Sequence, residues 1–217
     1  MENGYESYYI KGDELAFLLA GKKTEKFWGI DLFKQEVTKE ELYRIMADLY
    51  KKDYIEWEDN YVVIKEPWKQ IVQILSRATG CLQIQHEDDS KLFYFKENKI
   101  VLTEQSFRDL QTFKVTIFSK EEFIEYLWEE DFWPKEEMDA VCYEDENLDE
   151  MGAEVKTVFS FRNAKNGQLL EELTLQEKGI LPVTVVKDKE RRYEKEWCQN
   201  WILDRIDSGK VGEYDIS

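Results

Sequence analysis

One short pattern occurs twice in this chain, about 80 residues apart, and it restricts the local structure at both places. Thr38-Lys39-Glu40-Glu41-Leu42 and Ser119-Lys120-Glu121-Glu122-Phe123 each place a hydroxyl residue three positions before a glutamate. At a helix N-terminus the hydroxyl accepts the N–H of the third helical residue, and that residue's carboxylate reaches back to the capping N–H. Each pattern runs on into an apolar stripe, through Ile45, Met46 and Leu49 in the first and Ile124, Leu127 and Trp128 in the second. Two helices started alike, each followed by strand-like segments, predict an α+β protein built of two related halves.

The rest of the chain fills in that frame. A strand or turn and then a helix are expected over 8–20, with Asp13 as cap and Gly21 as the C-terminal stop. The helix from Thr38 runs to about Lys52. Tyr54–Trp57 and Tyr61–Ile64 flank the turn Glu58-Asp59-Asn60, and a helix over 67–78 begins with Pro67 at its first position. Strand patterns follow at 81–85, 92–95, 100–102 and 113–118, and the second capped helix covers 119–131, ending before Pro134. The acidic segment 134–152 reads as a loop or short helices. Residues 155–162 and 168–176 alternate around Asn163–Gly167, with Val155, Thr157, Phe159 and Phe161 on one face and Asn166-Gly167 as the hairpin signal. A strand over 180–186 and an amphipathic helix over 188–207 complete the chain. The strands therefore fall in two blocks, 81–118 and 153–187. The expected fold is α+β, an antiparallel central sheet with flanking helices, in one domain over 1–217 with quasi-two-fold halves 1–118 and 119–217.

Composition narrows the function. The 47 acidic residues outnumber the 30 basic ones, giving a net charge of −17. Phosphate neutralisation by Lys and Arg drives nucleic-acid binding, so this balance argues against it, and against anionic membrane surfaces. No apolar run reaches the roughly 18 residues of a membrane span. The opening Met1-Glu2-Asn3-Gly4-Tyr5 lacks the basic and apolar regions of a secretion signal, so a cytoplasmic location is expected. Cys81, Cys142 and Cys198 are too few and too widely spaced for a disulfide framework or a zinc site. Cys81 and Cys198 read as small core residues.

Catalytic chemistry finds little footing. The lone histidine, His86, lies in His86-Glu87-Asp88-Asp89-Ser90, where turn chemistry accounts for the composition better than a metal ligand or proton shuttle does. G-x-S-x-G, P-loop and G-x-G-x-x-G patterns are absent from the sequence. The paired carboxylates Glu129-Glu130-Asp131 and Glu136-Glu137 read as a solvated face. The expectation is a non-enzymatic protein with no catalytic residue, no metal site and no cofactor. Trp128, Phe132 and Trp133 cluster at the end of the second capped helix, just before the acidic segment. Together with Leu148 and Met151 they are the candidate partner-binding residues, with closure of the core as the competing role for the tryptophans. Two alternatives remain. Helix, turn and hairpin over Leu42–Ile64 resemble half of a winged helix, but the helix is mixed in charge and the wing carries Glu56, Glu58 and Asp59. A metal-dependent hydrolase using carboxylates is the other.

The run Gly12-Asp13-Glu14-Leu15-Ala16-Phe17-Leu18-Leu19-Ala20-Gly21 resembles the opening helix of EspG-type proteins, the chaperones of type VII secretion. In that family a further helix of the form L-x-x-L-x-x-x-G-hydrophobic follows. Leu42–Tyr50 with Lys51-Lys52-Asp53-Tyr54-Ile55 takes its place here, with Asp53 where glycine is usual. The helix at 67–78 and the meander at 81–103 continue the likeness, which covers mainly residues 12–103. The resemblance implies a quasi-two-fold α+β fold with a central sheet. It also implies non-catalytic binding of the helical tip of a secretion substrate.

Overall fold

In the computed structural model the described residues are 5–20, 28–30, 37–106, 109, 111–134, 152–178 and 181–208. In chain order they form β1 (Ser7–Lys11), α1 (Gly12–Ala20), α2 (Lys39–Lys51), β2 (Ile55–Glu58), β3 (Tyr61–Ile64), α3 (Trp68–Arg77), β4 (Gly80–His86), β5 (Asp89–Lys96), β6 (Lys99–Gln105), β7 (Thr112–Ser119), α4 (Lys120–Glu129), β8 (Ala153–Asn163), β9 (Leu169–Lys178), β10 (Leu181–Val186), β11 (Lys189–Arg192) and α5 (Lys195–Ser208). The fold is α+β. One antiparallel sheet of nine strands, ordered β1-β7-β6-β5-β4-β8-β9-β10-β11, is joined by a separate β2–β3 hairpin.

The sheet contains a repeat. A four-stranded meander followed by a helix occurs as β4–β7 with α4 and again as β8–β11 with α5, and the two meanders meet where β4 pairs with β8. Both capping boxes form as the sequence predicts. Thr38 Oγ1 accepts from Glu41 N at 3.2 Å and Thr38 N donates to Glu41 Oε2 at 2.8 Å. Ser119 and Glu122 repeat this at 3.2 and 2.6 Å. The capped helices are nevertheless not equivalent. α4 leads directly out of β7, whereas α2 precedes a hairpin on the other side of the sheet. The limit between Phe118 and Ser119 therefore cuts through the first repeat rather than between repeats.

Alternation sends side chains to both faces, and both are buried over the first meander. On one face Leu82, Ile84, Phe93, Phe95, Ile100 and Leu102 meet α4 and α5. On the other, Cys81, Leu92, Tyr94, Val101 and Val115 meet α1, α2 and α3. This is why β5 reads as an unbroken apolar run, Leu92-Phe93-Tyr94-Phe95, all four residues buried. α5 is held under the second meander by Trp201 edge-on to Phe161, 5.7 Å between centroids, and by the Arg205 guanidinium on Glu171 of β9. Lys187 lies 3.1 Å from the same carboxylate. Burial opposes the charge on Glu171, but the two cations outweigh it and hold its carboxyl below the usual value.

Several details correct the sequence expectations. The C-terminal helix starts at Lys195, not 188, because Lys187 and Asp188 take left-handed φ of 51° and 59° and turn the chain into β11. That turn carries no glycine to mark it. Val155 does not share the face of Thr157, Phe159 and Phe161. A bulge between Val155 and Thr157 shifts the register against β9 and leaves Val155 exposed. Pro67 is the N-cap of α3 rather than its first helical residue. Asp13 lies inside the first turn of α1 rather than before it; its carboxylate accepts the Glu14 N–H at 2.8 Å, and Glu14 in turn accepts the Lys11 N–H at 2.8 Å. Glu14 is 1% exposed and carries Lys52 Nζ at 2.6 Å, so the buried charge has both a backbone donor and an ammonium. Gly21 and the segment 135–151 lie outside the described residues. Asn166-Gly167 does mark a turn, but as part of a longer loop. Only Gly167 has positive φ, 74°, and a Cβ there would stand 2.1 Å from the Trp28 ring.

Two stability measurements follow. Gly167→Ala should lose about 1–3 kcal/mol in denaturant unfolding, from the φ penalty and the displaced indole. Glu171→Gln should lose roughly 1.5–3 kcal/mol near neutral pH, as a charge-assisted pair is removed. Because the folded carboxyl is held low, its contribution is complete above the unfolded value of about 4.3 and fades as pH falls through the folded one. The gap between wild type and variant should therefore close in acid, which urea titrations at stepped pH will read.

Candidate functional site

The aromatic residues expected at a partner surface divide. Phe132 and Trp133 are 4% and 9% exposed and belong to the core. Trp133 stacks on Phe159 at 5.3 Å with 24° between planes, and its indole N–H donates to the Leu127 carbonyl at 2.5 Å. Phe132 lies edge-on to Phe159, His86 and Tyr126. These two rings close the core beyond the end of α4. Trp128 alone of the three is exposed, at 44%, with the Lys195 ammonium 4.3 Å from its ring centre. Leu148 and Met151 lie outside the described residues.

A polar cluster surrounds Phe132. Lys91 Nζ donates to the Tyr126 hydroxyl at 2.7 Å and sits 3.3 Å from Glu130, 3.6 Å from Glu104 and 3.9 Å from Asp89. Its side chain is 13% exposed, so the ammonium is enclosed but amply paired. Burial, then the charges of Glu130 and Glu104, push the Tyr126 hydroxyl far above its ordinary value, so it stays protonated. Across the ring, the His86 Nδ1 is 2.8 Å from Thr157 Oγ1, and the Thr157 hydroxyl donates to the Phe132 carbonyl. A hydroxyl has one proton to give, so His86 must be the donor on Nδ1. His86 is thus a fixed strand residue, not a loose turn side chain. The cluster is a satisfied network around a core ring. Among the described residues, no three His, Cys, Asp or Glu side chains converge as metal ligands.

The described thiols are equally quiet. Burial pushes Cys81 up to about 12, and burial likewise raises Cys198 despite its contact with Thr184. A thiol that stays protonated is a poor nucleophile and a poor metal ligand.

The surface signal lies elsewhere. Ten large hydrophobic residues are exposed among the described ones, and six of them fall between 37 and 61: Val37, Leu42, Tyr43, Tyr50, Trp57 and Tyr61. α2 buries only Ile45 and Leu49 fully. At 100° per residue, Tyr43 and Tyr50 stand about 140–160° around the helix from Ile45, with Ala47 between them. The apolar stripe of α2 is thus wider than the core it covers. On the α1 side, Ala16, Phe17, Leu42 and Ile45 line a groove of about 420 Å³ rimmed by Asp13 and Arg44. The β2–β3 hairpin exposes Trp57 and Tyr61, at 53% and 75%, on opposite faces, since Trp57 pairs with Val62 and Tyr61 with Glu58.

No protein-family model matches the chain, and no curated protein matches it. No described helix is long and apolar enough to cross a membrane.

Two substitutions separate core from surface at the end of α4. Trp133→Ala should lose about 3–5 kcal/mol in chemical denaturation. Trp128→Ala should lose less than about 1 kcal/mol, the scale of one exposed cation–π contact. Equal losses would mean that Trp128 is also core.

Proposed function

We propose that this protein is a non-catalytic protein-binding module. The observation that carries the reading is the concentration of exposed aromatic and aliphatic side chains on α2 and the β2–β3 hairpin. Tyrosine and tryptophan dominate binding hot spots because they offer large contact area at low cost in conformational entropy. The contrast within the chain strengthens the reading. The polar groups of the Lys91 cluster are paired, the described thiols are buried, and the aromatic surplus stands in solvent. Glu56, Glu58 and Asp59 on the hairpin favour a protein partner over nucleic acid for this helix-and-wing element. The two meander-and-helix units are in keeping with the resemblance to EspG-type chaperones, so a helical secretion substrate is the partner class that resemblance supports.

The test is affinity capture from the native lysate with wild type and a Tyr43→Ser/Trp57→Ser variant, after both are shown to melt alike. A protein recovered stoichiometrically with wild type and lost with the variant is the expected result. Equal recovery with both, or recovery of nucleic acid alone, would defeat the reading.

A further inference from the structure

We infer that the flank of α2 bearing Tyr43, Ala47 and Tyr50, continued onto the β2–β3 hairpin, takes a cationic amphipathic helix of a partner protein. The inference rests on the protein-binding reading and adds the chemistry of the partner. Tyr43, Ala47 and Tyr50 are spaced as one helical ridge, with the small residue between two rings. A ring–notch–ring profile matches the side-chain ridge of a second helix, which sets one large apolar residue against Ala47 and others outside the rings. α2 has 13 residues and is about 20 Å long, and Tyr43 to Tyr50 covers about 10 Å of it, which faces two turns of a helical partner.

Charge selects among helices. Residues 53–61, Asp53-Tyr54-Ile55-Glu56-Trp57-Glu58-Asp59-Asn60-Tyr61, hold four carboxylates and no lysine or arginine. Of the nearby cations, Lys52 is engaged by Glu14, Lys65 by Asp53 at 2.6 Å, Arg44 by Asp13 at 3.4 Å and Lys51 by Asp48 at 4.0 Å, while Lys39, one turn before Tyr43, has no ion pair among the described residues. One face of the hairpin carries Glu56, Glu58 and the exposed Tyr61 together, and a partner that lays its apolar face on the α2 tyrosines and continues onto that face meets both carboxylates and a ring. Lysine and arginine answer both, through ion pairing and cation–π contact. A second copy of this chain is the poorer occupant, because it would bring another such hairpin and another net charge of −17.

The probes are three synthetic peptides of about 18 residues, or five turns. The first is a leucine–lysine amphipathic helix, the second has the same composition with the leucines scattered around the helix, and the third is a leucine–glutamate amphipathic helix. Each is titrated by fluorescence anisotropy into the full chain at physiological salt. The amphipathic cationic peptide should bind at least about tenfold more tightly than the scattered one, and the acidic peptide should not bind measurably. Tyr43→Ser/Tyr50→Ser should weaken the cationic peptide by at least about tenfold, whereas Val155→Ser/Leu169→Ser, at exposed positions remote in the fold, should leave it unchanged. Equal binding of the first two peptides would reduce the effect to bulk charge and overturn the inference. So would an unaffected double-tyrosine variant, or sedimentation showing that the surface is occupied by a second copy. If the peptides fail while lysate capture still depends on Tyr43 and Trp57, the protein-binding reading stands and the helix assignment falls.

Discussion

Seven residue pairs between β4 and β8, from Gly80 opposite Asn163 to His86 opposite Thr157, hold the molecule together. Each meander is local, since each strand pairs with its neighbour in sequence. The β4–β8 pairing joins segments some 70–80 residues apart, and it makes one sheet of two. Residues directly opposite in an antiparallel pair share a face. Leu82 against Phe161 and Ile84 against Phe159 therefore align the apolar faces of both meanders, and α4 and α5 share a single bed. The same register brings His86 to Thr157 at one end and Ala164 to the Thr79 carbonyl at the other. A slip of one residue would turn Phe159 and Phe161 to the opposite face and unseat α5.

What the sequence made legible was whatever is settled within a few residues. Both capping boxes, the β2–β3 hairpin, the first meander and the β8–β9 hairpin follow from local alternation and turn chemistry. The strands set by tertiary context were harder to read. β11 looked helical because Lys189–Arg192 is charged throughout and its preceding turn uses Lys187 and Asp188 in left-handed geometry without glycine. Asp53 shows the same substitution at a helix end. It has φ 60°, its N–H donates to the Tyr50 carbonyl, and the Tyr54 N–H donates to the Leu49 carbonyl. That is a Schellman cap with aspartate where glycine is common. The bulge before Thr157 exists only by reference to β9, so no pattern within 155–161 announces it.

Of the partner-binding candidates near the end of α4, Phe132 and Trp133 are core and Trp128 is exposed. Tryptophans at the end of α4 stood out by composition, yet composition does not tell a ring that closes a core from one that waits for a partner. The distinction depends on what lies opposite, and Phe159 lies opposite Trp133. Tyr43 and Tyr50 drew no attention because tyrosine on an exposed helix face is common. Their meaning comes from the narrowness of the core stripe beside them, which is a property of how α2 is docked.

That docking bears on how the surface can work. α2 does not depend on a broad apolar contact for its conformation. The Thr38–Glu41 box satisfies its first turn and the Asp53 cap satisfies its last, while Lys52 on the buried Glu14 and Arg44 on Asp13 tie it to α1. With both ends closed by hydrogen bonds and the helix fixed by Ile45 and Leu49, the remaining flank is free to stay in water without loosening the helix. A partner meeting this flank need not order it first, so the conformational cost of binding falls on the partner alone. Exposed aromatic residues on a mobile segment would spend much of their contact energy on ordering. On a helix capped at both ends they need no such ordering, which is the physical reason for placing the proposed binding surface on α2 rather than on the buried rings behind α4.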